Sequence, residues 1–321
     1  MRIWLNTALS PEALRALREG LGGHELVVSA GTSADVHRAG PADPALREAD
    51  IAFGQPAVED CLSARRLRWI EVSTAGYTRY DTDDFREALR GKGTAFTNAS
   101  SVFADSCAQH VMAMMLALCR ELLASHRDQL TDRSWHYDER RYRSVRLTGA
   151  TVLLLGYGAI GRRLTELLAP YSCKLYALRR QARSEAGVRV VRVEELTAVL
   201  PLADHVVNIL PENEATRGFV NARRLACLKP GARFYNIGRG ATVDQRALAE
   251  ALASGRLGAA YLDVTMPEPL PPGDPLWEAP GCYITPHTAG GRHDQDRALV
   301  EHFLENLAAF EAGRPMTDRI V

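Results

Sequence analysis

The sequence predicts an α/β protein with two doubly wound domains, and three observations carry this prediction. The chain has 321 residues, which is long for a single hydrophobic core and typical of two domains. Short apolar segments alternate with helical patterns along the chain, as in parallel sheets covered by helices. One such segment, Thr151–Leu155, leads into a G-x-G-x-x-G turn and then into a helical pattern at residues 162–168.

The composition is that of an ordinary globular enzyme. Hydrophobic residues make up 46% and charged residues 24%, and Lys+Arg and Asp+Glu both number 39, so bulk charge indicates neither a nucleic-acid nor a membrane partner. The six cysteines are scattered without a C-x-x-C pair, which favours reduced packing residues over metal ligands or disulfides. The N-terminus turns polar at once, and no apolar run approaches the roughly 18 residues that span a bilayer. We therefore expect a cytoplasmic protein without a metal site.

The first hundred residues predict a small α/β domain. Apolar segments at residues 2–5, 26–28, 50–53, 68–72 and 94–98 indicate strands, and Ser10 and Pro11 are typical of the N-cap and first position of a helix. After the fourth strand, the small residues at 73–77 have the composition of a backbone nest that binds anions. An ordinary tight turn is the simpler interpretation of that stretch.

A long helix at residues 103–123 is expected to begin the second domain. Its apolar face is formed by Val111, Met114, Met115, Leu118 and Leu122, and the methionines are most simply core residues. The charged and aromatic stretch at 127–142 leaves three interpretations open. It is a loop over a site, part of a subunit contact, or a plain surface loop.

The glycine turn is the strongest local indication of a ligand. Gly156 permits the tight turn, Gly158 lets the backbone approach a pyrophosphate, and Gly161 lets the helix pack close to the strand. The phosphates then lie at the helix N-terminus. A βα turn without a ligand is the alternative, but the strand–turn–helix context favours dinucleotide binding.

The end of the next strand, at residues 173–178, bears on the choice of dinucleotide. NAD enzymes usually carry an acidic residue there for the ribose hydroxyls. This chain has Arg179 and Arg180, and no acidic residue before Glu185. Two guanidinium groups suit a 2′-phosphate, so NADP(H) is favoured, with NAD(H) bound through other groups as the alternative.

Three later loops carry reactive side chains. Arg239, Glu268 and His287 follow the strands expected at residues 232–237, 258–264 and 282–285. Ligands of open α/β sheets bind at such strand ends. Arginine can clamp a carboxylate, and histidine can exchange a proton at neutral pH when a carboxylate orients it. Taken singly, each of the three is equally well an ordinary loop residue.

Six motifs occur in a fixed order along this second half. They are G-Y-G-A-I-G, A-D-H-V-V-N-I-L-P-E-N-E-A-T, L-K-P-G-A-R-F-Y-N-I-G-R-G-A-T-V-D, A-L-A-S-G-R-L-G-A-A-Y-L-D-V, P-E-P-L and T-P-H-T-A-G-G. Together they resemble the D-isomer-specific 2-hydroxyacid dehydrogenases. The resemblance extends from about residue 70 to residue 302 and is densest between residues 149 and 291.

The resemblance implies a role for each site residue. Arg239 would bind the carboxylate and carbonyl of a 2-keto acid, Glu268 would partner the histidine, and His287 would protonate the carbonyl oxygen as hydride arrives. Backbone amides at Ala75 and Gly76 would hold the substrate carboxylate. The cofactor-binding positions that it implies, together with the arginine pair, are Gly156, Tyr157, Gly158, Ala159, Ile160, Gly161, Arg179, Arg180, Pro211, Thr216, Ile237, Gly238, Asp263 and Ala289.

The resemblance also implies the domain arrangement. Residues 1–100 and 291–321 would form a flavodoxin-like substrate and catalytic domain, with a Rossmann NAD(P)-binding domain inserted at residues 101–290. A homodimer is expected from the resemblance alone. The favoured activity is that of an NADP(H)-dependent 2-keto acid reductase of the glyoxylate/hydroxypyruvate type.

Two departures from the family pattern leave the substrate open. The loop T-M-P-E-P lacks the aromatic residue that often follows D-V, and S-T-A-G-Y-T-R-Y-D is an uncommon substrate loop, in which Tyr77 and Arg79 would favour a bulkier or more anionic acid. A formate-type enzyme would pair its histidine with glutamine rather than Glu268, and a phosphite-type enzyme would carry a lysine in the substrate loop. A nicotinamide-sensing, co-repressor-like protein would retain all three site residues, although no appended tail or basic patch supports it.

Overall fold

The computed structural model describes residues 1–33, 41–179 and 185–321, and its contacts divide the chain into two compact units. Unit 1 comprises Met1–Phe103 and Arg292–Val321, and unit 2 comprises Ala104–Gly291. Unit 2 is therefore inserted in the sequence of unit 1. The boundaries expected at residues 100 and 291 lie close to these divisions.

The described residues form strands and helices in alternation. The strands are β1 (Arg2–Thr7), β2 (Glu25–Ser33), β3 (Ile51–Gly54), β4 (Trp69–Val72), β5 (Ala95–Thr97), β6 (Thr151–Leu155), β7 (Lys174–Leu178), β8 (Val188–Val191), β9 (His205–Asn208), β10 (Ala232–Asn236), β11 (Leu257–Leu262) and β12 (Cys282–Ile284). The α-helices are α1 (Pro11–Gly20), α2 (Val58–Ser63), α3 (Asp83–Lys92), α4 (Ser100–Cys119), α5 (Leu122–Leu130), α6 (Tyr137–Arg143), α7 (Ala159–Leu168), α8 (Leu196–Val199), α9 (Ala222–Ala226), α10 (Gln245–Ala253) and α11 (Gln295–Glu311).

Unit 1 is built on a five-stranded sheet. Its strands are all parallel and lie in the order β2-β1-β3-β4-β5, which is the flavodoxin-like order. Helix α1 begins as predicted, because the Ser10 side chain accepts a hydrogen bond from Ala13 N at 3.3 Å. Helix α11 covers the sheet through Phe303, whose ring stacks on Phe53 and Trp69 at centroid distances of 4.3 and 5.0 Å.

Unit 2 is built on a seven-stranded sheet. Its strands are again all parallel, in the order β8-β7-β6-β9-β10-β11-β12. The first strand of the unit, β6, lies inside the sheet, and the strand order reverses between β6 and β9. Ligands of such sheets bind at this switch point, beyond the carboxyl ends of the strands. The predicted α/β class with two doubly wound domains is therefore confirmed.

The predicted bounds of the long helix, residues 103 and 123, were wrong at both ends. Helix α4 begins at Ser100 and ends at Cys119, and Glu121, with a φ of 54°, separates it from α5. Leu122 is 57% exposed, so it is not part of the buried face. The charged stretch at 127–142 is largely helical rather than a loop. It is held together by Arg140, which donates to both oxygens of Asp128 at 2.7 and 2.8 Å.

Helix α4 bears on the expectation about apolar length without contradicting it. Among the described residues, it is the one helix long and apolar enough to cross a membrane, with a mean hydropathy of 1.4. The expectation concerned uninterrupted apolar residues, whereas Asp105 and several uncharged polar residues interrupt this helix without lowering its mean hydropathy much. Half of the helix is buried inside the protein, as in the core helix of a soluble protein, so it is weak evidence for a membrane span.

Candidate active site

The three reactive side chains predicted from sequence follow three neighbouring strands of unit 2. Arg239 comes after β10, Glu268 after β11 and His287 after β12, and these parallel strands pair in the order β10-β11-β12. Their carboxyl ends therefore meet at one edge of the sheet. There His287 Nδ1 lies 2.8 Å from Glu268 Oε2. The structure thus brings the predicted histidine and glutamate into direct contact.

Arg239 is half-buried, and its backbone is fixed by the turn that follows it. Its carbonyl oxygen accepts a hydrogen bond from Thr242 Oγ1 at 2.6 Å, and its own Nη1 donates to Gly238 O at 2.7 Å. Burial lowers the pKa of Arg239, while the negative charges of Glu268 and Glu212 act in the opposite direction. A guanidinium stays charged at neutral pH, so this position suits a substrate carboxylate.

Glu268 is oriented from both sides. Its Oε1 accepts a hydrogen bond from Thr265 N at 2.9 Å, which leaves Oε2 directed at the imidazole of His287. The carboxylate accepts, so His287 Nδ1 carries a proton, and Nε2 is the nitrogen that can exchange a proton with a ligand. The side chains of His287 and Glu268 are 28% and 36% exposed, so the pair is accessible.

Asp263 holds the loop that carries His287. His287 has a φ of 55°, which is uncommon for a residue with a side chain. Three successive backbone N–H groups donate to Asp263: His287 N to its carbonyl oxygen at 2.8 Å, Thr288 N to Oδ1 at 2.9 Å and Ala289 N to Oδ2 at 3.0 Å. Asp263 therefore fixes this loop, and its expected contact with the nicotinamide stays a prediction.

The glycine turn has the geometry that a dinucleotide pyrophosphate needs. Gly156 has a φ of 99°, and a β-carbon there would lie 3.1 Å from Ile209 O. A β-carbon on Gly161 would meet the Tyr157 ring at 3.2 Å, whereas one on Gly158 would have nothing within 4 Å. Helix α7 begins at Ala159, earlier than predicted, so its first N–H groups lie directly at the turn. These residues fit a bound dinucleotide.

Two other residues of the glycine motif, Tyr157 and Ile160, have a buried and a half-buried side chain, respectively. The Tyr157 side chain is buried, with its hydroxyl 3.3 Å from Thr165 Oγ1, so only its backbone belongs to the turn. Ile160 is half-buried in the first turn of α7.

Arg179 forms an ion pair that the sequence did not predict. Its Nη1 donates to Glu185 Oε1 at 3.1 Å, and Arg162 Nη2 lies 3.6 Å from the same oxygen. Sequence reasoning assigned Arg162 only to the helix and missed its place beside Arg179. The other predicted arginine, Arg180, lies outside the described residues.

The remaining cofactor positions belong to the loops after β9 and β10. Thr216 Oγ1 donates to Pro211 O at 2.6 Å, which closes the loop after β9 on itself. Ile237 is buried, and a β-carbon on Gly238 would lie 2.6 Å from Leu210 O, so only glycine fits this close approach. These residues line one stretch of the sheet edge, while Ala289 is buried in the loop that Asp263 holds.

The predicted substrate loop lies in unit 1, after β4. Asn98 Nδ2 donates to Ala75 O at 2.7 Å, and Thr74 Oγ1 donates to Gly76 O at 2.6 Å. The carbonyl groups are thus engaged, whereas within the described ranges the backbone N–H groups of Ala75 and Gly76 have no protein acceptor. That geometry is compatible with the anion-binding nest expected there.

Sequence reasoning missed a buried amide network that joins β9 to β10. Asn208 Nδ2 donates to Asn236 Oδ1 at 2.9 Å and to Thr242 Oγ1 at 2.7 Å. The network fixes the backbone on which Arg239 sits, because Thr242 also donates to the Arg239 carbonyl. The available signal was an asparagine at the last position of each of these two strands.

No metal centre accompanies these residues in the part of the chain that the structure describes, since no group of three or more His, Cys, Asp or Glu side chains is arranged to hold an ion. The six cysteines are free thiols.

Comparison with known proteins gives consistent results. The model of the NAD binding domain of the D-isomer specific 2-hydroxyacid dehydrogenases matches residues 112–289. The chain is 30% identical to a glyoxylate reductase of Pyrococcus furiosus over 78% of this chain and 75% of the relative. It is 35% identical to formate dehydrogenase 2 (mitochondrial) of Oryza sativa subsp. japonica over 76% of this chain and 66% of the relative.

A solved structure extends the similarity to the whole chain. It is a D-isomer specific 2-hydroxyacid dehydrogenase from Xanthobacter autotrophicus Py2, in complex with NADPH and MES. The TM-score is 0.82 at 27% identity, with 100% of this chain and 98% of the other covered.

Proposed function

This chain belongs to the D-isomer specific 2-hydroxyacid dehydrogenase family, and on that premise we propose that it reduces 2-keto acids to D-2-hydroxy acids with NADPH. A nicotinamide dinucleotide is the cofactor of the domain that the family model matches. The preference for NADP(H) and a short substrate of the glyoxylate or hydroxypyruvate type are the finer parts of the proposal.

One observation carries the proposal: the Glu268–His287 pair on the loops next to that of Arg239. Arg239 holds the carboxylate of the 2-keto acid, and His287 Nε2 gives its proton to the carbonyl oxygen. A bound nicotinamide cofactor supplies the hydride to C2. Glu268, 2.8 Å from His287 Nδ1, accepts the hydrogen of that nitrogen and orients the imidazole for the transfer. The product is a 2-hydroxy acid, and in the reverse direction His287 is the base.

Arg179 supports the choice of NADP(H). It follows β7, where a 2′-phosphate would bind, and Arg162 approaches the same carboxylate, Glu185. We assign the 2′-phosphate to Arg179, with Arg180 from the sequence as its neighbour. The NADPH complex of the Xanthobacter relative is in line with this assignment.

A second copy of the chain is the partner that we propose. Six large apolar side chains between Leu122 and Val145 are exposed, and Trp135 is 90% and Tyr142 80% exposed. An exposed apolar patch of this kind is typical of a protein interface. The expected homodimer would cover it.

The test is NADPH oxidation by the purified protein with glyoxylate, hydroxypyruvate, pyruvate, phenylpyruvate and larger 2-keto acids. We expect turnover with at least one short 2-keto acid, and a higher kcat/KM with NADPH than with NADH. Formate and phosphite are included, with NAD⁺ and NADP⁺, because one relative is a formate dehydrogenase. Turnover of formate or phosphite alone, or of no substrate while NADPH still binds, contradicts the proposal.

Arg239→Ala tests the site within the same assay. Because the substrate carboxylate loses its anchor, we expect 2-keto acid reduction to fall to background while NADPH binding persists. Arg246→Ala is the matched control, since the Arg246 side chain is 90% exposed and pairs with Glu250 on α10. Normal turnover in Arg239→Ala would remove this residue from the mechanism.

A further inference from the structure

We propose that Tyr261 and His110 are positioning residues for the loop that carries His287, acting through a chain of hydrogen bonds that ends on Asp263. The inference rests on the proposed function, because it gives His287 the role of proton donor. The chain of bonds lies wholly within unit 2.

This chain of hydrogen bonds joins α4 to the loop after β12. His110 Nε2 lies 2.7 Å from the Tyr261 hydroxyl, which lies 2.6 Å from Thr285 Oγ1. Thr285 Oγ1 in turn donates to Asp263 Oδ1 at 2.6 Å. Tyr261 is fully buried, and the His110 ring stacks on it at a centroid distance of 5.6 Å. The Tyr261 hydroxyl also lies 3.4 Å from Asp263 Oδ1, so it contacts the carboxylate both directly and through Thr285.

The last group in this series of hydrogen bonds is the carboxylate of Asp263, and its chemistry determines which group donates in each bond. An aspartate carboxylate only accepts, so the Thr285 hydroxyl donates to it. Thr285 Oγ1 can then only accept from Tyr261, and the Tyr261 oxygen can only accept from His110. His110 must therefore carry a hydrogen on Nε2. Burial raises the pKa of Tyr261, which keeps its hydroxyl hydrogen in place.

This chain of hydrogen bonds affects the proposed proton donor because it ends on Asp263, the group that fixes the His287 loop. His287 is held at a φ of 55°, and three consecutive N–H groups of the loop donate to Asp263. Two of those bonds end on its carboxylate. The orientation of this carboxylate therefore controls the conformation of the loop. Thr285 fixes that orientation, and Thr285 is held by Tyr261, which His110 of α4 contacts in turn.

The neighbouring strand contains a matched control. Tyr235 of β10 is the register partner of Tyr261 in β11, and it is equally buried. Its hydroxyl also contacts a histidine, since it lies 2.9 Å from His205 Nδ1. From there the contacts lead to Cys119, whose Sγ is 3.7 Å from His205 Nε2, and not to Asp263. Tyr235→Phe thus removes the same atom from a similar setting without touching the His287 loop.

The kinetic test compares these two variants. Tyr261→Phe should lower kcat for 2-keto acid reduction about tenfold, with little change in the KM of the 2-keto acid, because the misplaced group is the proton donor and not the carboxylate anchor. Tyr235→Phe should keep the kcat of the unmodified protein. His110→Gln should retain more activity than His110→Leu, because a glutamine amide can still donate to the Tyr261 hydroxyl. Equal kcat in the two tyrosine variants overturns the positioning role.

A second measurement does not depend on activity. ¹⁵N NMR of histidine-labelled protein, with the His110 signals assigned by their loss in His110→Gln, should show a hydrogen on Nε2. A hydrogen on Nδ1 alone overturns the positioning role even if the kinetics agree. Lack of 2-keto acid turnover in the unmodified protein overturns the proposed function instead, and it is recognised before any variant is compared.

Discussion

Each unit of the protein contains a histidine whose Nδ1 contacts a glutamate, and the two pairs have opposite surroundings. In unit 2, His287 lies 2.8 Å from Glu268, with 28% and 36% of the two side chains exposed. In unit 1, His302 lies 3.0 Å from Glu71, with 7% and 0% exposed. The contact is nearly the same, so the surroundings decide what each pair does.

The buried pair belongs to a closed cluster. Glu71 Oε2 also accepts hydrogen bonds from Asn306 Nδ2 at 2.8 Å and from Thr97 Oγ1 at 3.1 Å, and His302 Nε2 lies 3.3 Å from Asp318. Burial alone would lower the pKa of His302, but its contacts with Asp318 and Glu71 outweigh burial and raise the pKa to about 9. His302 is therefore charged at neutral pH and ties α11 and the C-terminal segment to β4 and β5.

The same kind of residue pair thus has a structural use in unit 1 and a proposed chemical use in unit 2. A histidine with carboxylates at both ring nitrogens keeps its proton. The His287 pair lies on accessible loops beside Arg239, where a ligand can reach it. We infer that exposure, the second partner of the ring and the neighbouring loops distinguish the two uses, whereas the His–Glu contact by itself does not.

The largest expected effect concerns His287. His287→Gln should lower kcat for 2-keto acid reduction by about 10²–10⁴-fold, because the general acid is lost. Its melting temperature should stay near that of the unmodified protein, since the side chain is accessible. Steady-state kinetics and thermal unfolding measured on the same sample check both expectations, and a large stability loss with retained kcat would reverse the assignment of the two pairs.

The second effect is on stability. His302→Gln should lower the free energy of unfolding by about 3–5 kcal/mol, because it leaves the buried carboxylate of Glu71 and the largely buried one of Asp318 without their cation. Denaturant unfolding measures this loss. The kcat of the molecules that remain folded should change little, and a variant as stable as the original protein would show that the cluster does not hold the C-terminal segment.

The third and smallest effect is the pH dependence of that stability. The pKa of His302 is raised from 6.5 to about 9 in the folded protein, so its contribution is fully present below pH 6.5 and is lost as pH rises through 9. The loss across this window should be of the order of 3 kcal/mol. The difference between unmodified protein and His302→Gln in unfolding at several pH values isolates it, and a difference that is constant between these pH values would contradict the shift.

The sequence was sufficient for the parts of the site that rest on local chemistry. The apolar segments ending in Gly or polar loops indicated the strands of unit 2, and the sequence placed Arg239, Glu268 and His287 on the loops after three of them. That these strands are neighbours is known from the sheet order of the structure. The glycine motif likewise predicted the turn after β6 because a positive φ at Gly156 is a local requirement.

Contacts between distant segments were beyond the reach of the sequence. The approach of Arg162 to Glu185, the hydrogen bonds from His110 to Asp263 and the cluster around His302 each join segments whose proximity depends on the tertiary fold. The break after α4 was missed for a related reason. The apolar pattern continued to Leu122, but the positive φ at Glu121 turns the chain and exposes Leu122.

The most direct test of the central claim follows the hydride itself. The protein is incubated with a 2-keto acid and NADPH deuterated at the transferring position of the nicotinamide, and the product is analysed by mass spectrometry and chiral chromatography. We predict a D-2-hydroxy acid with one deuterium at C2, and no such product from His287→Gln in the same time. A product without deuterium, or one of the L configuration, would contradict it.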